Sequence, residues 1–172
     1  MKRLFFIIAL VLGLTATASA QNYAVVDSEK IFKSIDEYNA ALKELDELAE
    51  KYQQQVDEKF AKVEEIYNAY MQRKASLSSA LQKANEDNIM QIESEAVEYQ
   101  ESIFGTDGEL MKKRLQLIQP IQKSVFDAIE EYAKQKGYDM ILDVTQNATM
   151  LYYSAKADKT NDIIALLKSK KE

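Results

Sequence analysis

The apolar residues keep a seven-residue beat over a long polar run. Ile35, Leu42, Ala49, Val56, Val63, Tyr70 and Leu77 form one row, and Ile31, Tyr38, Leu45, Tyr52, Lys59, Ile66 and Arg73 form the row between. The alternating steps of four and three are the signature of a coiled-coil seam, with Lys59 and Arg73 as its two departures. Residues 28 to 104 contain no Gly and no Pro and are rich in good helix formers. A second seam, out of phase with the first, runs through Ile89, Ala96, Ile103, Leu110 and Leu117, with Ile92 and Tyr99 between. Two seams out of phase predict a reversal between them. The crowded Ser residues of 74–79 are the place for it, because their hydroxyls can satisfy free backbone groups. The prediction is an antiparallel helical hairpin.

The return arm meets Gly105 and Gly108, where a kink or short break is expected. It then passes Pro120, which should bend it, and ends at Lys134, Lys136 and Gly137. Around this helical region the period changes. Residues 23–26, 138–144 and 149–154 read as short strands separated by turn residues. Asp27 or Ser28 is placed to cap the outgoing helix, and Thr160 to cap a last one carrying Ile163, Ile164 and Leu167. The fold class is therefore α+β, a long coiled-coil hairpin with a small β body. Three short strands are marginal alone and leave edges unpaired. Pairing between subunits would cover those edges, with Val25, Val26, Ile141, Leu142, Leu151 and Tyr152 as the interface residues.

The first twenty residues have the anatomy of a cleaved export signal: Lys2 and Arg3, an apolar stretch from Leu4 to Leu14, then small residues ending in Ala18 and Ala20. Residues 21–172 are expected to form a single domain, with 21–30 and 137–172 as the body and 31–136 as the hairpin and return helix. Asn147-Ala148-Thr149 matches a glycosylation sequon, here read as chance.

Charge narrows the function. The chain has 22 basic and 28 acidic residues; without Lys2 and Arg3 that leaves 20 against 28, a net −8. Such an excess argues against nucleic acid as a partner. With no His and no Cys, the common nucleophilic triads and zinc sets are absent. Carboxylates at solvent-facing helix positions lack the desolvation or partner that would tune them for catalysis. No enzyme and no cofactor is expected.

Two features of the arms remain. From 66 to 85 there is no acid but Arg73, Lys74 and Lys83, whereas 86 to 109 holds eight acids and no base. This is either a positive tip on negative arms or a helix surface with unevenly spread solvated charge. Beside the seam lie further apolar positions: Leu48, Phe60, Tyr67 and Met71 going out, and Met90, Val97, Phe104, Met111 and Ile118 returning. In a bundle they would be core. A two-helix hairpin has no third helix to cover them, which leaves Phe60, Tyr67, Met71, Met90, Val97 and Phe104 as candidates for holding a client, with Arg73, Lys74 and Lys83 attracting it. Gly105 and Gly108 are the candidate hinge.

At this point the chain resembles the Skp/OmpH family of periplasmic chaperones. The resemblance is carried by residues 23–32, by Leu117-Ile118-Gln119-Pro120-Ile121, by Ala128-Ile129, by 136–143, by Leu151-Tyr152-Tyr153 and by the helix from 158 to 167. It covers essentially the whole chain after residue 20. It implies a homotrimer built on a β-barrel body, three hairpins around a cavity for unfolded outer-membrane proteins, a periplasmic location and no use of ATP. Familiar members are strongly basic and this chain is acidic, which makes lipopolysaccharide or membrane binding doubtful. A structural or adaptor coiled coil of the cell envelope is the alternative.

Overall fold

The computed structural model describes residues 22–145 and 150–170. The proposed export signal and the sequon lie outside the described residues. The order of elements is β1 (Tyr23–Val26), α1 (Ser28–Lys33), α2 (Asp36–Arg73), a 3-10 turn (Lys74–Ser76), α3 (Ser79–Phe104), α4 (Glu109–Lys136), β2 (Met140–Asp143) and α5 (Thr160–Ser169). The chain divides into two compact units. One is Phe32–Val125; the other joins the residues up to Ile31 to those from Phe126 onward.

The second of these units is built on a parallel strand pair. Tyr23, Ala24, Val25 and Val26 lie beside Met140, Ile141, Leu142 and Asp143 in that order. Parallel pairing requires a long crossover, which the helical region supplies. The far side of β1 is not free. The Val25 N–H donates to the Ala157 carbonyl at 2.9 Å, and the Lys159 N–H donates to the Val25 carbonyl at 2.9 Å. A single bridge between Val25 and Asp158 is the result. The third strand expected at 149–154 is therefore not there: 150–154 have no regular structure, and the contact with β1 is made a few residues later. Ala24, Val25 and Val26 are buried together with Ile31, Ala128, Ile163 and Leu167.

Caps explain where these elements start and stop. The Asp27 carboxylate accepts the Lys30 N–H at 3.0 Å, so Asp27 caps α1. At α5 Thr160 is not the cap: the N-cap position is Lys159, without a side-chain cap bond, and Asp158 Oδ1 just before it accepts the Thr160 N–H at 2.9 Å and the Thr160 hydroxyl at 2.6 Å. Thr160 is instead buried and accepts the Asp27 N–H at 2.9 Å. α4 ends at Gly137, whose φ of +69° is the left-handed conformation that favours glycine. There the Tyr138 N–H reaches back to the Ala133 carbonyl at 2.9 Å, closing the helix end. The Tyr132 hydroxyl donates to Asp162 Oδ2 at 2.6 Å, tying α5 to α4.

The unit Phe32–Val125 is helical. The outgoing helix does not run unbroken from Ser28. It is interrupted at residues 34–35, where Ile35 is extended (φ −99°, ψ 115°), and α2 then continues to Arg73. α3 stops at Phe104, and the break around the two glycines is real. The Gly105 N–H donates to the Glu101 carbonyl at 2.8 Å and the Gly108 N–H to the Gly105 carbonyl at 2.9 Å. α4 passes Pro120 without interruption.

Candidate functional site

The reversal is made by a small polar cluster. The Tyr70 hydroxyl donates to Glu86 Oε1 at 2.6 Å, and Lys74 Nζ donates to the same oxygen at 2.9 Å. The Lys74 ammonium also lies 5.3 Å from the centre of the Tyr70 ring. Behind them Gln82 Nε2 donates to the Lys74 and Leu77 carbonyls at 3.0 and 3.1 Å, taking up acceptors that the end of a helix leaves open. Ser78 accepts the Leu81 N–H and starts α3. The hydrogen bond from Tyr70, and then that from Lys74, hold the Glu86 carboxyl below its ordinary range.

α2 and the returning helices pair antiparallel. Tyr70 meets Glu86, Gln55 Oε1 accepts the Tyr99 hydroxyl at 2.7 Å, and Glu44 pairs with Lys113 at 2.7 Å. Val56, Tyr70, Ala96 and Ile103 of the two seams are buried. Lys59, one of the two departures, is explained: its ammonium sits 4.7 Å from the centre of the Tyr99 ring. Near the glycine break the seam differs from the heptad count. Ala41 is buried where Leu42 is 36% exposed. On the return, the buried row moves from Ile103 to Ile118 and Val125, one residue later than strict sevens would place it. Ile118, counted as beside the seam, thus joins Ala41 and Leu45 in a cluster that Tyr38, Leu110, Leu117 and Ile121 cover. The interruption at 105–108 lets the helix re-enter with this changed phase.

The expected client residues share one geometric property. Phe60, Tyr67, Met71, Met90, Val97 and Phe104 each directly follow a seam residue. One step along an α-helix turns about 100° in a fixed sense. Each therefore lies on the same flank of its own helix. In a parallel pair the two flanks would fall on opposite faces; in this antiparallel pair they fall on the same one. Phe60 is half-buried, Tyr67, Met71 and Val97 are about half exposed, Met90 is 67% exposed and Phe104 is 37% exposed. The opposite face is largely polar, with the half-buried Leu48 as its large apolar residue. Residues that precede the seam, Gln55, Glu58 and Lys62, line an open cleft of ≈ 380 Å³ there with Lys59 and Tyr99. The hairpin is thus amphipathic across its two broad faces.

The cationic residues are placed differently from one another. Lys74 is spent on Glu86, an acid just beyond the acid-free stretch. Arg73 is exposed and its Nε donates to the Ala69 carbonyl at 3.3 Å. Lys83 is exposed, and among the described residues neither Arg73 nor Lys83 is in an ion pair. The sequence reading missed the Tyr70–Glu86–Lys74 cluster; the only sign of it was a seam tyrosine beside the reversal.

The candidate interface residues also separate. Val25 and Val26 are already buried by their own chain. Ile141 and Leu142 are half-buried, and Leu151 and Tyr152 are 93% and 83% exposed. Tyr23 and Met140, paired across the strands, are 62% and 56% exposed. Among the described residues no strand pairs with the outer edge of β2, and no helix is long and apolar enough to cross a membrane.

A long antiparallel helical hairpin with a small parallel strand pair is the class of protein these elements define. The family model "Outer membrane protein (OmpH-like)" matches residues 22–167, and the chain belongs to that family. It is 28% identical over 165 residues to an uncharacterized protein of Aquifex aeolicus, covering 95% of this chain and 94% of that one. A Caulobacter crescentus CB15 protein put forward as an OmpH-like outer membrane chaperone has a similar fold. Its TM-score is 0.66 at 12% identity, over 91% of this chain and 89% of that one.

Proposed function

We propose that this protein is an ATP-independent periplasmic holdase that binds unfolded outer-membrane proteins through the apolar face of its hairpin. The observation that carries the reading is the gathering of Phe60, Tyr67, Met71, Met90, Val97 and Phe104 on one face, where they stay partly or largely exposed. Met is flexible and polarizable, and Tyr and Phe offer large contact areas at small conformational cost, which suits binding to chains without fixed structure. Family membership supports the same role, as does the chaperone description of the similarly folded Caulobacter protein. Export by a cleaved signal at residues 1–20 goes with it.

The working form is a homotrimer assembled through the strands, with a client enclosed between the hairpins of three copies. The outer edge of β2, unpaired among the described residues, and the exposed Tyr23, Met140, Leu151 and Tyr152 support association there. Enclosure keeps a second unfolded chain away, which is how aggregation is prevented without a chemical step. The test is dilution of a denatured outer-membrane β-barrel into buffer with and without the purified protein and no nucleotide. Suppressed light scattering at stoichiometric protein supports the proposal. Scattering unchanged at excess protein overturns it.

A further inference from the structure

Over residues 50–67 and 90–104 the apolar face is striped with charge of one sign. Away from the reversal, the positions that directly follow a seam residue are occupied either by the apolar residues above or by polar ones. The charged members of that set are Asp36, Lys43, Asp46, Glu50, Asp57 and Glu64 on α2 and Glu93 on α3, all exposed; Lys43, the one base, lies before residue 50 and pairs with Glu47 at 3.6 Å. No Lys or Arg shares those rows between 50 and 67 or between 90 and 104. Asp57 accepts a hydrogen bond from Gln53 at 2.8 Å, a neutral partner that leaves its charge uncompensated. The lysines at mid-hairpin, Lys59 and Lys62, line the cleft on the opposite face. At the reversal itself, Lys74 is neutralised by Glu86.

From this arrangement we infer that the face selects unfolded segments in which apolar residues are flanked by Lys or Arg. The inference rests on the holdase reading and names the client segment it prefers. An apolar side chain entering between Phe60 and Val97 brings its sequence neighbours over Asp57, Glu64 and Glu93. Basic neighbours meet opposite charge there, and acidic neighbours meet like charge. Complementary potentials set partner choice as much as affinity, and the penalty against the wrong charge is the sharper discriminator. The reversal, with Lys83 and Arg73 left unpaired, is too short to change the sign of the face as a whole.

The experiment uses the full exported chain and three labelled, unstructured peptides that share one apolar core. Their flanks are Lys, Glu or Ser, and binding is read by fluorescence anisotropy. At low salt the Lys-flanked peptide is expected to bind about tenfold more tightly than the Glu-flanked one, with Ser between, as several weak exposed charge contacts together allow. Near 1 M salt, where the screening length is about 3 Å, the three should converge. Asp57→Asn, Glu64→Gln and Glu93→Gln together should remove the ranking and leave the Ser-flanked affinity in place; far-UV circular dichroism checks that the variant stays helical. Equal affinities for Lys and Glu flanks, with the Ser-flanked peptide bound, overturn this inference alone. Tighter binding of the Glu-flanked peptide reverses it and makes the cationic residues at the reversal the selecting element. No binding of any peptide defeats both the inference and the holdase reading.

Discussion

Tyr70, buried at the end of the outgoing seam, donates its hydroxyl to Glu86 Oε1 at 2.6 Å, and this bond closes the hairpin at its reversal. Because the bond favours the ionised carboxyl, Glu86 is held below its ordinary range. A carboxyl lowered in the folded state contributes stability that is present above its unfolded pKa and is lost as pH falls through the folded value. Tyr70→Phe should therefore lower the thermal midpoint at neutral pH. The difference from wild type should shrink once the medium falls below about pH 4, the ordinary Glu value. Thermal melts of the two proteins at pH 7 and pH 3 check both halves; no difference at either pH would show that Tyr70 acts only by packing, and a difference constant with pH that its hydroxyl acts independently of the Glu86 charge.

The glycine break makes a second prediction, opposite to the one its composition suggests. Read from sequence, replacing both glycines by Ala should lengthen and stiffen the helix. The geometry opposes this. A Cβ on Gly105 would lie 2.5 Å from the Glu101 carbonyl oxygen, and one on Gly108 would lie 2.4 Å from that of Ile103. Both obstacles are backbone and cannot rotate away. Gly108→Ala is expected to cost about 1–3 kcal/mol through strain at this turn. Urea unfolding of the single variant measures it. A gain in stability accompanied by higher helicity would contradict the account of the break.

How much of this was legible beforehand differs by element. The seam, the reversal and the break were written in the spacing of apolar residues and in two glycines, which are local signals. The slip from Ile103 to Ile118 was not, because it depends on how the chain crosses 105–108. The strand expected at 149–154 failed for a related reason. Leu151, Tyr152 and Tyr153 have high strand propensity, but propensity only says that a residue fits a half-buried pleated surface, and here no surface covers them. The residues that do pair with Val25 are around Asp158, where the sequence offers no strand signal at all. The apolar flank was visible residue by residue. That its two halves share one face follows only from antiparallel pairing.

A third prediction concerns assembly through the strands. Ile141 sits in β2 opposite Ala24 and is half-buried within its own chain. Ile141→Asp places a charge where an added strand would pack, and should shift the protein from trimer to monomer in sedimentation equilibrium. Tyr152→Ser, at an exposed position outside any strand, tests the neighbouring surface without touching the strand pair. A wild type that sediments as monomer at all concentrations would rule out the assembly proposed here.

The most direct test of the apolar face is the rate at which a bound client leaves. Contact burial mainly sets dissociation, while charge mainly sets encounter. Tyr67→Ser, Met71→Ser and Phe104→Ser remove apolar contacts from exposed positions outside the buried seam, so the fold should survive. Stopped-flow release of a labelled, unfolded β-barrel from this variant should be about tenfold or more faster than from wild type, with capture nearly unchanged, as expected for losing about 1.4 kcal/mol or more of contact. Release at the wild-type rate from a variant of unchanged helicity would contradict the claim that this face holds the client.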